Sequence, residues 1–151
     1  MAYLGMGLFA VLTVIAGFHV YWGLGGLGPA ASEPELVRTV VGDANGQMMP
    51  GRGATLVVAF LVFSAGLVAL ARNAALPGLI AWIPFLGSWV LSFVFLVRGA
   101  FTYLAATGTL AWPYPLAEPF RTLDQMIYAP LCLGIGASFL VLALKGGAAS
   151  A

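Results

Sequence analysis

The sequence predicts an all-α integral membrane protein, a four-helix bundle whose long first loop holds a short surface helix. Apolar residues make up 62% and charged residues 7% of the 151 residues. A soluble domain carries about 25% charged residues, because its surface must face water. Four apolar runs in this chain are also long enough to cross a bilayer. Most of its surface is therefore expected to face lipid.

The four apolar runs lie at about 3–24, 54–70, 79–104 and 124–144. A hydrocarbon core about 30 Å thick is crossed by a helix of about 20 residues. Backbone groups in lipid must find their partners inside the protein, which favours helices, and none of the runs alternates as a barrel strand would. We expect one membrane domain over residues 1–151.

The first connection, about 25–53, carries the signature of a short helix. Ser32 followed by Glu35 fits a capping box, and Pro34 suits the first turn. We expect a helix over about 33–41, ended by Gly42. It would lie on the membrane surface or cover the mouth of the bundle.

The start of the fourth run carries a similar signal. Thr122 followed by Gln125 fits a capping box, and Asp124 would stand in the first turn, where the helix dipole favours an anion. The sequence therefore predicts that the fourth helix begins next to Asp124.

Small residues recur at the spacing that lets membrane helices approach closely. Ala65 and Ala69 are four positions apart, and so are Gly134 and Ser138. This spacing is typical of helix contacts in membranes. We expect both pairs to lie at interfaces.

Ionisable side chains inside the apolar runs mark the candidate site, because such groups are costly in lipid. His19 and Arg98 each lie about six residues before the end of a run, which places both about 9 Å below the same membrane face. Asp124, Tyr128 and Cys132 follow one another at helical spacing from that face. The sequence thus predicts a polar layer where three helices meet.

Arg98 and Asp124 allow two interpretations. An arginine within a span costs about 2.5–3.5 kcal/mol unless it pairs or reaches the interface. Asp124 is its natural partner, and Glu118 is the second choice. The pair either locks the third helix to the fourth, or forms a ligand site in which Arg98 binds an anionic group.

His19 is the only histidine in the sequence. It suits proton transfer or a hydrogen bond to a ligand, and equally a neutral contact between helices. Trp22 is either a ligand-binding residue or an aromatic of the membrane interface. With Cys132 and Asp124, His19 would be the whole supply of zinc ligands, so we expect no metal site. The sequence names no cofactor.

Two stretches are similar to a known family. They are His-Val-Tyr-Trp-Gly-Leu-Gly-Gly at 19–26 and Arg-Thr-Leu-Asp-Gln-Met-Ile-Tyr-Ala-Pro-Leu-Cys-Leu at 121–133, joined by Phe-Leu-Val-Arg-Gly-Ala at 95–100. Nearly the whole chain resembles small bacterial four-helix membrane proteins classed as a domain of unknown function. The resemblance implies four spans in a bacterial inner membrane and supplies no activity. It draws notice to His19, Trp22, Arg98, Asp124, Tyr128 and Cys132.

Composition and loop charges restrict partners and orientation. A net charge of +1 without a basic cluster excludes nucleic-acid binding, which needs many Lys and Arg side chains. The lipid bilayer is the expected partner, and a homo-oligomer or a larger membrane complex is compatible with the sequence. The short connection with Arg72 and the end of the last run at Lys145 lead us to place both termini in the cytoplasm.

The functional expectation comes from the polar layer. We expect a membrane protein that binds a small molecule or a lipid head group with His19, Trp22, Arg98, Asp124 and Tyr128. Two alternatives stay open. The chain is a non-catalytic accessory subunit of a larger membrane complex, or a small membrane enzyme with His19 as acid–base and Asp124 orienting it. The sequence does not decide whether it is an enzyme.

Overall fold

A computed structural model describes residues 2–45, 50–112 and 115–145, and within these ranges it is all-α. The elements are helices α1 (Ala2–Gly23), α2 (Glu33–Val40), α3 (Arg52–Ala71) and α4 (Trp82–Ala106), with a 3₁₀ turn at Gly78–Ala81 that leads into α4. The last helix, α5 (Phe120–Lys145), contains a π-helical segment at Asp124–Tyr128.

Four of these helices are long and apolar enough to cross a membrane, and they are α1, α3, α4 with its preceding turn, and α5. The predicted fold class is therefore confirmed, and the bounds of the first three spans differ from the predicted ones by a few residues. The protein is therefore membrane-embedded.

The fourth helix begins earlier than predicted. It starts at Phe120 after Pro119, so the expectation of a start at Asp124 is wrong. The capping box does not form, because the Thr122 hydroxyl donates to Glu118 Oε2 at 3.0 Å. The Gln125 side chain instead donates to the carbonyl of Ala106 at the end of α4, at 3.0 Å.

The spans pack as two close pairs, α1 with α3 and α4 with α5. Glycines allow the backbones to approach. A Cβ at Gly5 would lie 2.6 Å from the Ala69 carbonyl oxygen, and a Cβ at Gly99 would lie 3.0 Å from the Ala129 carbonyl oxygen. Both pairs therefore depend on the absence of a side chain at these positions.

The two pairs join through an apolar core near one end of the spans. Leu91 and Phe95 of α4 pack against this core. Its buried members come from α1, α3 and α5 and are Leu8, Leu12, Ala65, Ala69, Ile135, Phe139 and Leu142. The rings of Phe95 and Phe139 stack at 6.2 Å. This end holds the start of α1, the connection after Arg72 and the end of α5, and we call it the terminal face. The opposite end, with α2, is the α2 face.

The small-residue expectation is half right. Ala65 and Ala69 are buried, with 4% and 0% of their surface exposed. Gly134 is exposed and has no neighbouring atom within 4 Å of a built Cβ, so its predicted interface role is wrong. Gly136 occupies the α4 interface instead, where a Cβ would lie 2.9 Å from the backbone nitrogen of Leu96.

The short helix α2 forms as predicted. The Glu35 amide donates to Ser32 Oγ at 3.4 Å, and the Glu35 carboxylate accepts from the Ala31 amide at 2.9 Å. Gly42 adopts a φ of +86°, which ends the helix in a conformation that glycine accepts without strain.

The two glycines of α5 offer a direct test of the α4–α5 interface. Gly136→Ala is expected to lower the free energy of unfolding by about 1–3 kcal/mol, because its methyl group presses on the α4 backbone. Gly134→Ala is the matched control and should be neutral or stabilising by up to about 1 kcal/mol, since alanine favours a helix. Thermal unfolding in one detergent measures both variants. Equal losses would contradict the interface.

Candidate functional site

One stripe of α5 faces the interior along most of its length. Near the terminal face it buries Ile135 and Phe139 in the core. Towards the α2 face the same helical spacing continues to Cys132, Tyr128 and Asp124. Asp124 is 0% exposed. The interior stripe is therefore apolar at one end and polar at the other.

The polar part of the stripe coincides with the π-helical segment Asp124–Tyr128. Here the Ala129 amide donates to the Asp124 carbonyl, five residues back. Pro130 comes directly afterwards, and a proline within a helix lacks an N–H and clashes with the carbonyl four residues before it, that of Met126. The wider π turn accommodates this clash. Such π-bulges occur frequently at functional sites.

The Asp124 carboxyl group is buried without a hydrogen bond from the described residues. Both of its oxygens are buried, and neither has a hydrogen-bond partner among the described residues. Thr102 of α4 lies close enough to interact with the Asp124 carboxyl group, but its hydroxyl donates to the carbonyl of Arg98 at 2.9 Å. The lock interpretation requires direct bonds from Arg98 to Asp124, and the described geometry does not contain them.

Arg98 lies at the edge of this cluster. Its side chain is exposed, yet it is close enough to act electrostatically on Asp124 and Cys132. It lies eight residues before the end of α4, which is about 12 Å along the helix. A guanidinium at this depth is costly unless an anion or the interface reaches it.

Asp124 lies beneath α2. Phe120 and Tyr128 stand one turn on either side of it, and both touch the α2 region. A Cβ at Gly42 would lie 2.6 Å from the Phe120 ring, and the Tyr128 hydroxyl donates to the Thr39 carbonyl at 3.4 Å. Residues 33–44 therefore form a cover over this part of α5.

The cover is anchored by its own apolar side and by the third connection. Leu36 and Val37 are buried, with 1% and 0% of their surface exposed. Asp43 and Leu116 form an isolated antiparallel bridge, and the Ala117 amide donates to the Gly42 carbonyl at 2.9 Å. Water is thereby kept from the Asp124 side of α5.

His19 and Trp22 form a separate pair. His19 Nδ1 donates to the carbonyl of Ile15 at 2.8 Å, and its ring meets the Trp22 ring edge-on at 5.5 Å. The Trp22 indole N–H donates to the Gly28 carbonyl at 2.8 Å. No hydrogen bond in the described ranges links this pair to Asp124. Electrostatic interactions thus link Arg98, Asp124, Tyr128 and Cys132, whereas no hydrogen bond among the described residues joins His19 or Trp22 to them.

Two features of this region were missed at the level of sequence. Thr102 reaches the Asp124 layer because α4 and α5 run antiparallel, and Pro130 inside an apolar run was the available signal for the π-bulge.

An open apolar groove of about 420 Å³ also lies between α1 and α5, away from Asp124. It is lined by Tyr3, Leu4, Gly7, Leu8, Val11, Pro130, Leu131, Gly134, Ile135 and Ser138.

Four membrane-spanning helices with a buried carboxyl group under a short amphipathic helix define a small multi-pass membrane protein. Residues 12–139 match the family described as "Protein of unknown function (DUF3995)", and the chain belongs to this family. The resemblance to a family of unknown function is thereby confirmed. No curated protein and no solved structure matches the sequence. The family description carries no activity, so function has to be argued from the site.

A substitution at Asp124 distinguishes the interpretation as a helix lock from the interpretation as a ligand site. We expect Asp124→Leu, which keeps the branched shape of the side chain and carries no polar atoms, to retain stability or gain about 1–4 kcal/mol, as apolar replacements of buried ionic groups often do. Thermal unfolding in detergent measures the change, and Thr102→Val controls for loss of a polar neighbour. A loss of about 3–5 kcal/mol in Asp124→Leu would restore the lock, because that is the cost of breaking a buried ion pair.

Proposed function

We propose that this protein binds a lipid head group, or a small molecule of the same chemistry, in the layer of Arg98, Asp124 and Tyr128. The observation that carries the proposal is the buried Asp124 carboxyl group without a hydrogen-bond partner in the described chain. Leaving such a group unsatisfied costs about 1–3 kcal/mol or more. A bound donor would remove that cost, which is why unpaired buried groups in native proteins call for an explanation.

The chemistry of the layer points to a ligand with two kinds of group. The exposed Arg98 guanidinium is suited to a phosphate or carboxylate. The Asp124 carboxylate accepts hydrogen bonds and is suited to an ammonium or hydroxyl group of the same ligand. A phosphate joined to an amino alcohol, as in an ethanolamine phospholipid, carries both.

Access from the lipid is the supported route. The α2 cover closes the water side of Asp124. On the lipid side, Arg98 is exposed, and the neighbouring Met126 and Ile127 of α5 are 74% and 50% exposed. A phospholipid could therefore place its phosphate on Arg98 with its acyl chains along these apolar side chains. A soluble ligand would first have to displace α2.

His19 and Trp22 are included in the proposed site because they lie at a depth similar to that of Asp124. His19 lies four residues before the end of α1, about 6 Å along the helix, and Asp124 lies four residues after the start of α5. We propose that they line the far side of the same layer. The enzyme alternative would need Asp124 to orient His19, but His19 Nδ1 is bonded to Ile15.

Location and assembly complete the proposal. We place the protein in a bacterial inner membrane as one membrane domain, with both termini in the cytoplasm, and reporter fusions at the C-terminus test that orientation. The accessory-subunit alternative is supported by a surface with few charges, which suits a chain surrounded by other membrane proteins. Purification under mild detergent tests it: a companion protein or a second copy in fixed ratio is its expected sign, and a lone monomer would contradict it.

Paired phospholipids test the binding proposal. Short-chain phosphatidylethanolamine should stabilise the purified protein at concentrations about tenfold lower than phosphatidylcholine, because choline has no N–H to donate to Asp124 and 1.4 kcal/mol is tenfold in affinity. Asp124→Asn should abolish the difference, and Arg98→Gln should weaken both lipids. Thermal shift across a lipid titration gives the affinities.

The control variant for this titration is Lys145→Gln, which removes a charge at the terminal face. It should bind both lipids as the unchanged protein does. Equal binding of the two lipids by the unchanged protein, or a preference that survives in Asp124→Asn, would overturn the proposed site.

A further inference from the structure

A second arginine, Arg72, lies partly buried at the terminal face. Arg72 caps the C-terminal end of α3, and its Nε and Nη2 atoms are buried without a hydrogen-bond partner in the ranges that the structure describes. Cationic donors left without an acceptor are costly to bury. These donors therefore need an acceptor that the described part of the chain does not supply.

The acidic side chains of the chain cannot supply that acceptor. The sequence has five, namely Glu33, Glu35, Asp43, Glu118 and Asp124. They lie in and after α2, before α5 and at the start of α5, all at the α2 face. A span of about 30 Å separates the two faces. The partner of Arg72 has to come from outside these side chains.

An aromatic support holds Arg72 in place. Its guanidinium carbon lies 5.1 Å from the centre of the Phe85 ring, within the range of a cation–π contact. Trp82 meets Phe85 edge-on at 5.4 Å. Tryptophan at the end of a span is typical of head-group depth. The guanidinium is thus held against aromatic side chains at the start of the third span.

The surface beside Arg72 suits acyl chains. Leu79, Trp82 and Ile83 are 86%, 57% and 67% exposed, and they form the start of the third span. We propose that Arg72, Phe85 and Trp82 form a binding site for the phosphate of an anionic phospholipid at the terminal face. This site is distinct from the Arg98 layer and does not depend on it.

Phosphatidylglycerol is the probe. All variants are made in a protein that carries Arg98→Gln, so that the proposed layer at the α2 face contributes little to the binding of this lipid. In this background phosphatidylglycerol is expected to raise the melting temperature of the purified full chain in detergent. Arg72→Gln should raise the half-maximal lipid concentration about tenfold or more, and Phe85→Leu should raise it less. Lys145→Gln, the matched loss of charge at the same face, should leave it unchanged.

Three outcomes would overturn the proposal. The first is an equal response in the Arg72→Gln and Lys145→Gln variants. The second is a full response to inorganic phosphate alone, which would make the ligand a soluble anion. The third is a lipid response that is unchanged in both single variants, Phe85→Leu and Arg72→Lys. The Arg72→Lys variant is used if Arg72→Gln fails to fold. Failure of the Arg98 layer would leave all three readouts in place, because they are measured without it.

Discussion

The absence of water in a bilayer is the constraint on which this structure depends. Several polar side chains in the spans bond back to the carbonyl one turn earlier in their own helix, as their helical spacing allows. Examples are Ser88 to Pro84 at 2.7 Å, Thr102 to Arg98 at 2.9 Å and Ser138 to Gly134 at 2.8 Å. Each of these groups carries a hydrogen to donate. Asp124 does not use this solution, because neither of its carboxyl oxygens has a hydrogen-bond partner among the described residues.

Composition and local chemistry are the features of the fold that the sequence predicts well. The spans came from apolar length, and α2 came from the Ser32–Glu35 box and Gly42, because these signals act within a few residues. The start of α5 failed at the same level. Gln125 matches a box but bonds to Ala106, which lies in another helix. A local pattern cannot report a competing partner that is distant along the chain.

The sequence also does not predict which face of a helix packs against its neighbours. Gly134 and Gly136 both look like packing residues, but only the rotation of α5 decides that Gly136 meets Leu96. The same holds for the candidate site. Counting residues gives the depth of His19 and Asp124 in the membrane. Their contacts depend on how each helix is rotated about its own axis. Depth could be predicted, and the separate pairing of His19 with Trp22 could not.

Arg98 and Arg72 differ in the side chains that surround them, and that difference determines their chemistry. Arg98 lies near the Asp124 carboxyl group, so a ligand that satisfies both must carry an anion and a donor. Arg72 lies against the Phe85 ring, at the face without acidic side chains, so a bare anion satisfies it. A zwitterionic head group suits the first environment and a net negative one suits the second. Because the two proposed sites lie at opposite ends of the spans, each would sample the lipids of a different leaflet.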